Sequence, residues 1–107
     1  MRAYDSLRRR ADFARVGRTG RRRTAKFLTC VVADGRERTR NGVTVSAQVG
    51  GAVARNRVRR RLRAILDRYP FATLPSWDIV FIARPGAGEL SFAGLMAEVE
   101  RTFGAPA

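Results

Sequence analysis

The chain has 107 residues and a formal net charge of +13 at pH 7, since 22 Lys and Arg residues face 9 Asp and Glu residues. An apolar share of 45% is enough for one modest hydrophobic core, which excludes a wholly disordered chain and predicts a single domain over residues 1–107. Such a positive charge costs self-repulsion, so we expect a polyanionic partner, with nucleic acid favoured over an anionic membrane surface.

The positive charge is concentrated in the first part of the chain. Residues 1–63 hold 19 basic and 4 acidic residues, a net charge of +15, whereas residues 64–107 carry a net charge of −2. We therefore expect the binding surface in the first part. No apolar run approaches the roughly 20 residues that a membrane span requires. Residues 1–10 lack the apolar centre of a secretory signal, and the single cysteine suits a reducing compartment, so we expect a cytoplasmic protein.

Hydrophobic periodicity and turn residues predict alternating helices and strands. Phe13 and Val16 give the first helix a narrow apolar stripe, while β-branched and aromatic side chains mark the strands. The predicted elements are, in chain order, a basic helix over residues 4–17, a basic loop or short edge strand over 18–24, a strand over 26–33, a polar turn over 34–41, a strand over 42–49, a helix over 52–69, a strand over 77–83 and a helix from residue 92. This order predicts an α+β or α/β sandwich in which helices pack on one sheet.

The strand predicted over residues 42–49 alternates between apolar and polar side chains. One face carries Val43, Val45, Ala47 and Val49, and the other carries Thr44, Ser46 and Gln48. We expect the first face to be buried and the second to offer small polar groups. In the preceding strand, Cys30 is expected to be a small buried hydrophobe, because a lone cysteine has no internal disulfide partner.

The end of the chain gives equally clear patterns. Residues 77–83 are nearly all apolar, as expected of a strand that is covered on both faces. Pro70 is expected to close the preceding helix, because the residue before a proline resists the helical conformation. Ser91 is expected to cap the last helix, whose apolar stripe consists of Phe92, Leu95, Met96, Val99 and Phe103.

The helix predicted over residues 52–69 separates into an apolar stripe and a broad arginine arc. At 100° per residue, the stripe consists of Ala54, Val58, Leu62, Ile65, Leu66 and Tyr69. The arc consists of Asn56, Arg57, Arg59, Arg60 and Arg63, and is flanked by Arg55 and Arg61. A solvated helix face normally mixes charge signs, whereas Arg55, Arg59 and Arg63 repeat at i+4 with no acid among them. We therefore favour a polyanion-binding surface over an ordinary solvated face.

The sequence offers little that supports catalysis by its own side chains. It contains no histidine, no cysteine cluster and no paired carboxylates, so the usual general acids, general bases and metal ligands are missing. The segment PGAGEL follows a predicted strand but lacks the Lys-Ser/Thr of a phosphate-binding P-loop, so a plain turn is expected there. We expect no catalytic residue and no metal site in this chain.

The segment VTVSAQVGGAVARNRVRRRLRAIL resembles the signature region of the bacterial ribonuclease P protein component. Arg55-Asn56-Arg57-Val58-Arg59-Arg60 and Arg63 match that family's motif, directly after a strand and at the start of a long helix. The resemblance covers most of the chain. LRRRADF is similar to the family's first helix, WDIVFIARPGA to its last strand and ELSFAGLMAEVERTF to its final helix.

The resemblance implies an α-β-β-β-α-β-α sandwich with a left-handed βαβ crossover, similar to a domain of a small-subunit ribosomal protein. It also implies an RNA-binding subunit of ribonuclease P, which removes the 5′ leader of precursor tRNA while the RNA, with bound magnesium, performs the hydrolysis. The implied partners are the catalytic RNA and precursor tRNA, with no membrane and no obligate protein partner. By this resemblance the RNA subunit contacts Arg55, Asn56, Arg57, Arg59, Arg60 and Arg63, and a groove for the leader comprises Arg9, Arg10, Phe13, Thr44, Ser46 and Gln48.

Several positions depart from the family pattern. Ala47 and Gln48 replace paired lysines after the strand serine, which removes two phosphate contacts. Gly17 stands where a second groove aromatic is common, and Cys30 stands in place of a strand aromatic. Because stacking on a base is worth about 1–3 kcal/mol, these changes are expected to alter leader affinity or preference.

Two other classes fit a small basic chain. Co-sedimentation with ribosomes at high salt, without a precursor-tRNA processing defect on depletion, would favour a structural ribosomal protein. Tighter binding to duplex DNA than to structured RNA would favour a DNA-binding regulator that uses residues 52–69 as a recognition helix. A helix lying on a membrane surface is disfavoured, because the core needs its apolar stripe.

Overall fold

A computed structural model describes residues 5–35, 38–69, 71 and 75–104, which form one α+β domain. Its elements are β1 (Asp5–Ser6), α1 (Arg10–Thr19), β2 (Arg21–Thr24), β3 (Leu28–Asp34), β4 (Arg40–Val45), α2 (Ala52–Leu66), β5 (Trp77–Ala83), a 3₁₀ turn (Ala87–Glu89) and α3 (Phe92–Thr102). The predicted fold class and order of elements are confirmed, and a two-residue strand precedes them.

The five strands form one mixed sheet in the order β1-β4-β5-β3-β2. Helix α2 connects β4 to β5, which pair in parallel, while β3 runs antiparallel to both β5 and β2. Helix α1 packs on one face of the sheet, and α2 and α3 pack on the other. We call these the α1 face and the α2/α3 face.

Most of the hydrophobic core lies on the α2/α3 face. Its fully buried side chains include Leu28, Leu62, Ile65, Phe81, Leu95 and Val99. The α1 face has a smaller core of Leu7, Val16, Val31, Ala33 and Val80. Since α1 buries only Val16 completely, apolar packing alone attaches this helix less firmly than α2 or α3.

Several element ends differ from those that the sequence predicts. The first helix begins at Arg10 rather than residue 4, because Asp5–Ser6 pair in parallel with the edge of β4. Strand β4 ends at Val45 rather than residue 49, since residues 46–50 turn to bring α2 back onto the sheet. Helix α2 ends at Leu66 rather than residue 69. Residues 67–69 continue as a tighter turn, and Pro70 lies outside the described residues.

Three other local predictions are confirmed. Strand β5 has the predicted bounds, and burial places Cys30 in the core. Ser91 caps α3, because its Oγ accepts a hydrogen bond of 3.0 Å from the Gly94 N–H.

A buried carboxylate fastens α1 to the sheet. Asp78, in β5, is fully buried and accepts hydrogen bonds from Arg40 Nε at 2.9 Å and Arg40 Nη2 at 2.8 Å. Arg15 of α1 donates to the same carboxylate, and Arg40 also pairs with Asp12 of α1 at 3.4 Å. We call Asp12, Arg15, Arg40 and Asp78 the Asp78 cluster. It compensates for the weak apolar anchoring of α1, since a buried charge must be paired and hydrogen-bonded.

Burial alone would raise the pKa of Asp78. The hydrogen bonds and positive charges of Arg40 and Arg15 outweigh that effect and hold the pKa below its ordinary value. A carboxyl group with a lowered folded-state pKa contributes stability above its unfolded pKa of about 3.9, and this contribution is lost as the pH falls through the folded pKa.

Asp78→Asn is expected to lower the free energy of unfolding at pH 7 by about 3–5 kcal/mol, because two guanidinium groups lose their buried counter-charge. The difference from the parent protein should shrink as the pH falls below about 4. Urea denaturation followed by circular dichroism across pH measures both effects. Glu89→Gln is the control, because Glu89 is exposed and should change stability by less than about 0.5 kcal/mol. Equal stabilities of the two variants at pH 7 would contradict the role given to Asp78.

Candidate nucleic-acid interface

Helix α2 buries the apolar stripe that its sequence predicts and exposes much of its arginine arc. Val58, Leu62, Ile65 and Leu66 are buried, whereas Asn56, Arg60 and Arg63 are exposed. The helix follows Gly50, whose φ of 153° suits glycine, and Gly51 at its N-cap. It has no acidic residue in its first turn and none among its 15 residues.

Two half-buried arginines on one flank of α2 bond to the segment that follows β5. Arg57 Nη2 donates to the Gly88 carbonyl at 3.0 Å, and Arg61 Nη1 donates to the Leu90 carbonyl at 2.6 Å. These bonds satisfy backbone oxygens without neutralising either guanidinium. Arg57 and Arg61 therefore help to attach α2 to residues 88–90 while they retain their full positive charge.

The other flank carries Arg55, Arg59 and Arg63, one turn apart. Arg59 Nη2 lies 3.4 Å from the Val45 carbonyl, and Arg59 Nη1 lies 3.4 Å from Asn56 Oδ1. Arg55 Nη1 lies 3.4 Å from the Gly50 carbonyl. Within the described parts of the chain, no arginine of α2 lies within 4.0 Å of a carboxylate oxygen. Among the described residues, these three arginines therefore have only uncharged hydrogen-bonding partners.

Phe13 and Arg63 lie beside the same small cavity, where α1 approaches β4. Both line a cavity of about 50 Å³, together with Asn41, whose buried side-chain amide has no hydrogen-bond partner among the described residues. Glycine at position 42 permits this approach, because a Cβ atom there would lie 2.5 Å from Phe13 Cζ. Thr44 is exposed and points to the same face of the sheet as Gly42. We call Phe13, Gly42, Thr44 and Arg63 the α1–β4 surface.

The remaining predicted groove residues lie around this surface rather than within it. Ser46 and Gln48 are exposed, but they belong to the turn between β4 and α2 rather than to a polar strand face. Arg9 lines a cavity of about 380 Å³ beside the Asp78 cluster, and Arg10 is exposed at the start of α1. Of the six predicted groove residues, Phe13 and Thr44 thus lie on the α1 face of the sheet. The other four lie around the α1–β4 surface.

The structure shows where two residues that depart from the family pattern, Gly17 and Cys30, lie. Gly17 is exposed on α1, and a Cβ atom there would meet nothing within 4 Å. Cys30 lies in the core of the α2/α3 face together with its register partner Phe81, so it does not line the α1 face. Burial raises the pKa of the Cys30 thiol to about 12, although the charge of Arg23 opposes this shift. It therefore remains a neutral core side chain.

Arg15 and Arg40 were not singled out by the sequence, although they shape this side of the molecule through Asp78. The sequence feature that could have indicated this cluster is Asp78, the one charged residue in an otherwise apolar strand. Among the described residues, no three His, Cys, Asp or Glu side chains are grouped so that they could hold a metal ion. No helix in that part of the chain is long and apolar enough to cross a membrane.

Comparisons with known proteins identify relatives over nearly the whole chain. The family model described as Ribonuclease P matches residues 1–106. The ribonuclease P protein component of Roseiflexus castenholzii is 46% identical over 103 residues, which cover 94% of this chain and 83% of the relative. That of Acidothermus cellulolyticus is 41% identical over 102 residues, with coverages of 92% and 84%.

Solved structures show the same fold. The Staphylococcus aureus RNase P protein superposes with a TM-score of 0.81 at 24% identity, covering 89% of this chain and 88% of that protein. The RNase P protein from Thermotoga maritima superposes with a TM-score of 0.76 at 25% identity, with coverages of 89% and 91%. Together with the family match, these findings decide against the ribosomal-protein and DNA-regulator alternatives.

The two kinds of arginine in α2 should differ in their effect on folding. Arg61→Ala is expected to lower the free energy of unfolding by about 1 kcal/mol, because the Leu90 carbonyl loses its donor. Arg60→Ala removes the same charge from an exposed position and should change stability by less than about 0.5 kcal/mol. Urea denaturation of both variants measures the difference, and equal losses would show that Arg61 does not attach α2 to this segment.

Proposed function

Because the chain belongs to the ribonuclease P protein family, we propose that its helix α2 binds the catalytic RNA and that its α1–β4 surface holds the leader of precursor tRNA. As a member of this family, the chain is a subunit of the ribonuclease P endoribonuclease. It acts with the ribonuclease P RNA in the processing of tRNA 5′ ends. The proposal concerns which surfaces of this chain make the contacts.

The arrangement of charge on α2 carries the proposal for the RNA subunit. The core buries Val58, Leu62, Ile65 and Leu66 of the apolar stripe, so the arginine arc faces outward, and its guanidinium groups have no carboxylate partner among the described residues. Phosphates of a structured RNA supply the missing counter-charge, and the planar guanidinium binds phosphate with two parallel hydrogen bonds. The contacting residues are Arg55, Asn56, Arg57, Arg59, Arg60 and Arg63, with Arg60 and Arg63 the most exposed of the arginines.

The α1–β4 surface supports the proposal for the leader. Phe13 offers an aromatic ring on which a base can stack, and Arg63 offers a positive charge beside the same cavity. Thr44 offers an exposed hydroxyl group on the sheet face of Gly42. Ser46 and Gln48 lie in the turn that joins this surface to α2, and Arg9 and Arg10 extend it along α1. A single strand can therefore pass from α1 towards α2 over polar and cationic side chains.

The division of labour follows from the residue types. Positioning and electrostatic attraction are what this chain can supply, because its described residues contain no histidine and no grouped metal ligands. In our proposal the magnesium ions are held by the RNA subunit, where they activate the hydrolysis of the phosphodiester bond. The chain contributes RNA affinity and keeps the leader aligned, which helps because fixed geometry removes much of the entropy barrier.

Arg60→Ala and Arg63→Ala are each expected to weaken binding to the cognate ribonuclease P RNA. Each should reduce the slope of log K against log salt concentration by about 1, since one phosphate contact is lost. Filter-binding titrations over a range of salt concentrations measure this slope. Arg84→Ala is the control, because Arg84 is exposed in the segment after β5, outside the proposed interface. Parent-like slopes for both α2 variants would exclude this helix as the RNA contact.

Phe13→Leu keeps an apolar side chain against Gly42 but removes the ring. With the reconstituted ribonucleoprotein, affinity for precursor tRNA is expected to fall about tenfold, because stacking is worth about 1–3 kcal/mol per base. Affinity for mature tRNA, which has no leader, should stay the same. Phe92→Leu, a matched change on α3, serves as the control. A loss that is equal for precursor and mature tRNA would refute leader stacking at this position.

A further inference from the structure

A third cavity, of about 370 Å³, lies on the α2/α3 face of the sheet, away from the α1–β4 surface. Its walls include Trp77 at the start of β5, Phe103 at the end of α3, and Arg21 and Arg23 on the edge strand β2. The buried Cys30 forms part of its floor. Its volume falls within the range of about 300–1,000 Å³ that is typical of sites for small organic ligands.

The aromatic side of this cavity is held in a fixed arrangement. Trp77 and Phe103 are half-buried, and their ring centroids lie 6.2 Å apart with an interplanar angle of 85°. Phe103 also contacts the rings of Phe81 at 6.0 Å and Tyr69 at 5.7 Å, which lie in the core. Because the core restrains these rings, a flat aromatic ligand can stack on one ring and meet the other at its edge with little loss of side-chain entropy.

The opposite side of the cavity is cationic. Arg21 pairs with Val32 and Arg23 pairs with Cys30 in the β2–β3 register, so both arginines point to the α2/α3 face. Both are exposed, and neither has a carboxylate oxygen within 4.0 Å among the described residues. Arg22, between them, points to the α1 face.

Acidic residues near this cavity are few. Asp34 is exposed and pairs with Trp77 in the β3–β5 register, so it lies on the same side of the sheet. Glu98 of α3 is buried, where it accepts hydrogen bonds from the Phe27 N–H at 2.7 Å and from Arg101 at 2.7 Å. Glu100 of α3 is also exposed, on the side of Tyr69 and Phe103. Among the described residues none of these carboxylates pairs with Arg21 or Arg23, so both guanidinium groups remain available to an anion.

We propose that this cavity binds one unpaired nucleotide of RNA, with its base against Trp77 and Phe103 and its phosphate at Arg21 and Arg23. Stacking rings beside a cationic strand are the combination that single-stranded nucleic acids require. The site lies on the sheet face opposite Phe13, so it is separate from the proposed leader surface and would engage a different part of the RNA. It does not depend on the roles proposed for α2.

Trp77 provides a direct probe, because it is the only tryptophan in the chain. The free protein is titrated at about 0.15 M salt, where charges more than about 8 Å apart are largely screened, with a single-stranded oligoadenylate of about 5 nucleotides, and the indole emission is followed. The resonance of the indole Nε1–H provides a second readout. We expect saturable quenching and a shift of that resonance, because a stacked base changes the surroundings of the ring.

Three matched variants on β2 test whether the oligoadenylate binds beside Arg21 and Arg23. Arg21→Gln and Arg23→Gln should each weaken the oligoadenylate binding reported by Trp77 about tenfold, because a charge-assisted hydrogen bond to phosphate is lost. Arg22→Gln removes the same charge from the same strand, but from its other face, and should change the affinity less than about twofold.

Three results would overturn the proposal. The first is no saturable response of Trp77. The second is an equal loss of affinity in all three variants, which would indicate a general charge effect. The third is an equal response to oligoglutamate of the same charge, which would indicate an acidic peptide rather than a nucleotide.

Discussion

The buried carboxylate of Asp78 is the interaction on which the binding side of this molecule depends. It lies in the central strand β5 and draws Arg40 from β4 and Arg15 from α1 into one cluster. Helix α1 has only a small apolar core beneath it, so ionic contacts determine where it rests. Phe13 lies between Asp12 and Arg15 in sequence, and its position over Gly42 therefore follows from this cluster.

In our proposal, the arginines of α2 both attach the helix to its neighbours and recognise RNA. A guanidinium group has five N–H donors and keeps its charge when it bonds to a neutral carbonyl. Arg57 and Arg61 use some of these donors to hold the segment after β5, and Arg59 lies near the end of β4. The helix is thus fixed on both flanks without a single internal ion pair among the described residues, and the charge needed for RNA remains available.

The sequence predicted well the features that local burial decides. The stripe of α2, the bounds of β5 and the Ser91 cap were predictable because helical periodicity, an apolar run and a capping hydroxyl are local signals. Pairing across the sheet is not local. The two residues of β1 form a strand only because the edge of β4 lies beside them, and apolar alternation in sequence continued past Val45 although the chain had already turned.

The candidate site likewise has features that the sequence predicts and features that only the folded structure reveals. The arginine arc was predictable from the helical projection, whereas the partners of Arg57 and Arg61 were not, since they lie about 30 residues away and bond through backbone carbonyls. The burial of Cys30 was predicted, but the sequence did not indicate which face of the sheet its side chain joins. One shift of register moves a side chain to the other face of a sheet, so only the pairing with Phe81 could place it.

We propose that this chain binds and positions RNA while the RNA subunit performs the hydrolysis. The most direct measurement is cleavage of precursor tRNA over a range of magnesium concentrations, with the chain alone, the cognate RNA alone and the two together. We predict no cleavage by the chain alone, and cleavage by the pair at lower magnesium than the RNA alone requires. Cleavage by the chain alone, or no change when it is added to the RNA, would contradict the claim.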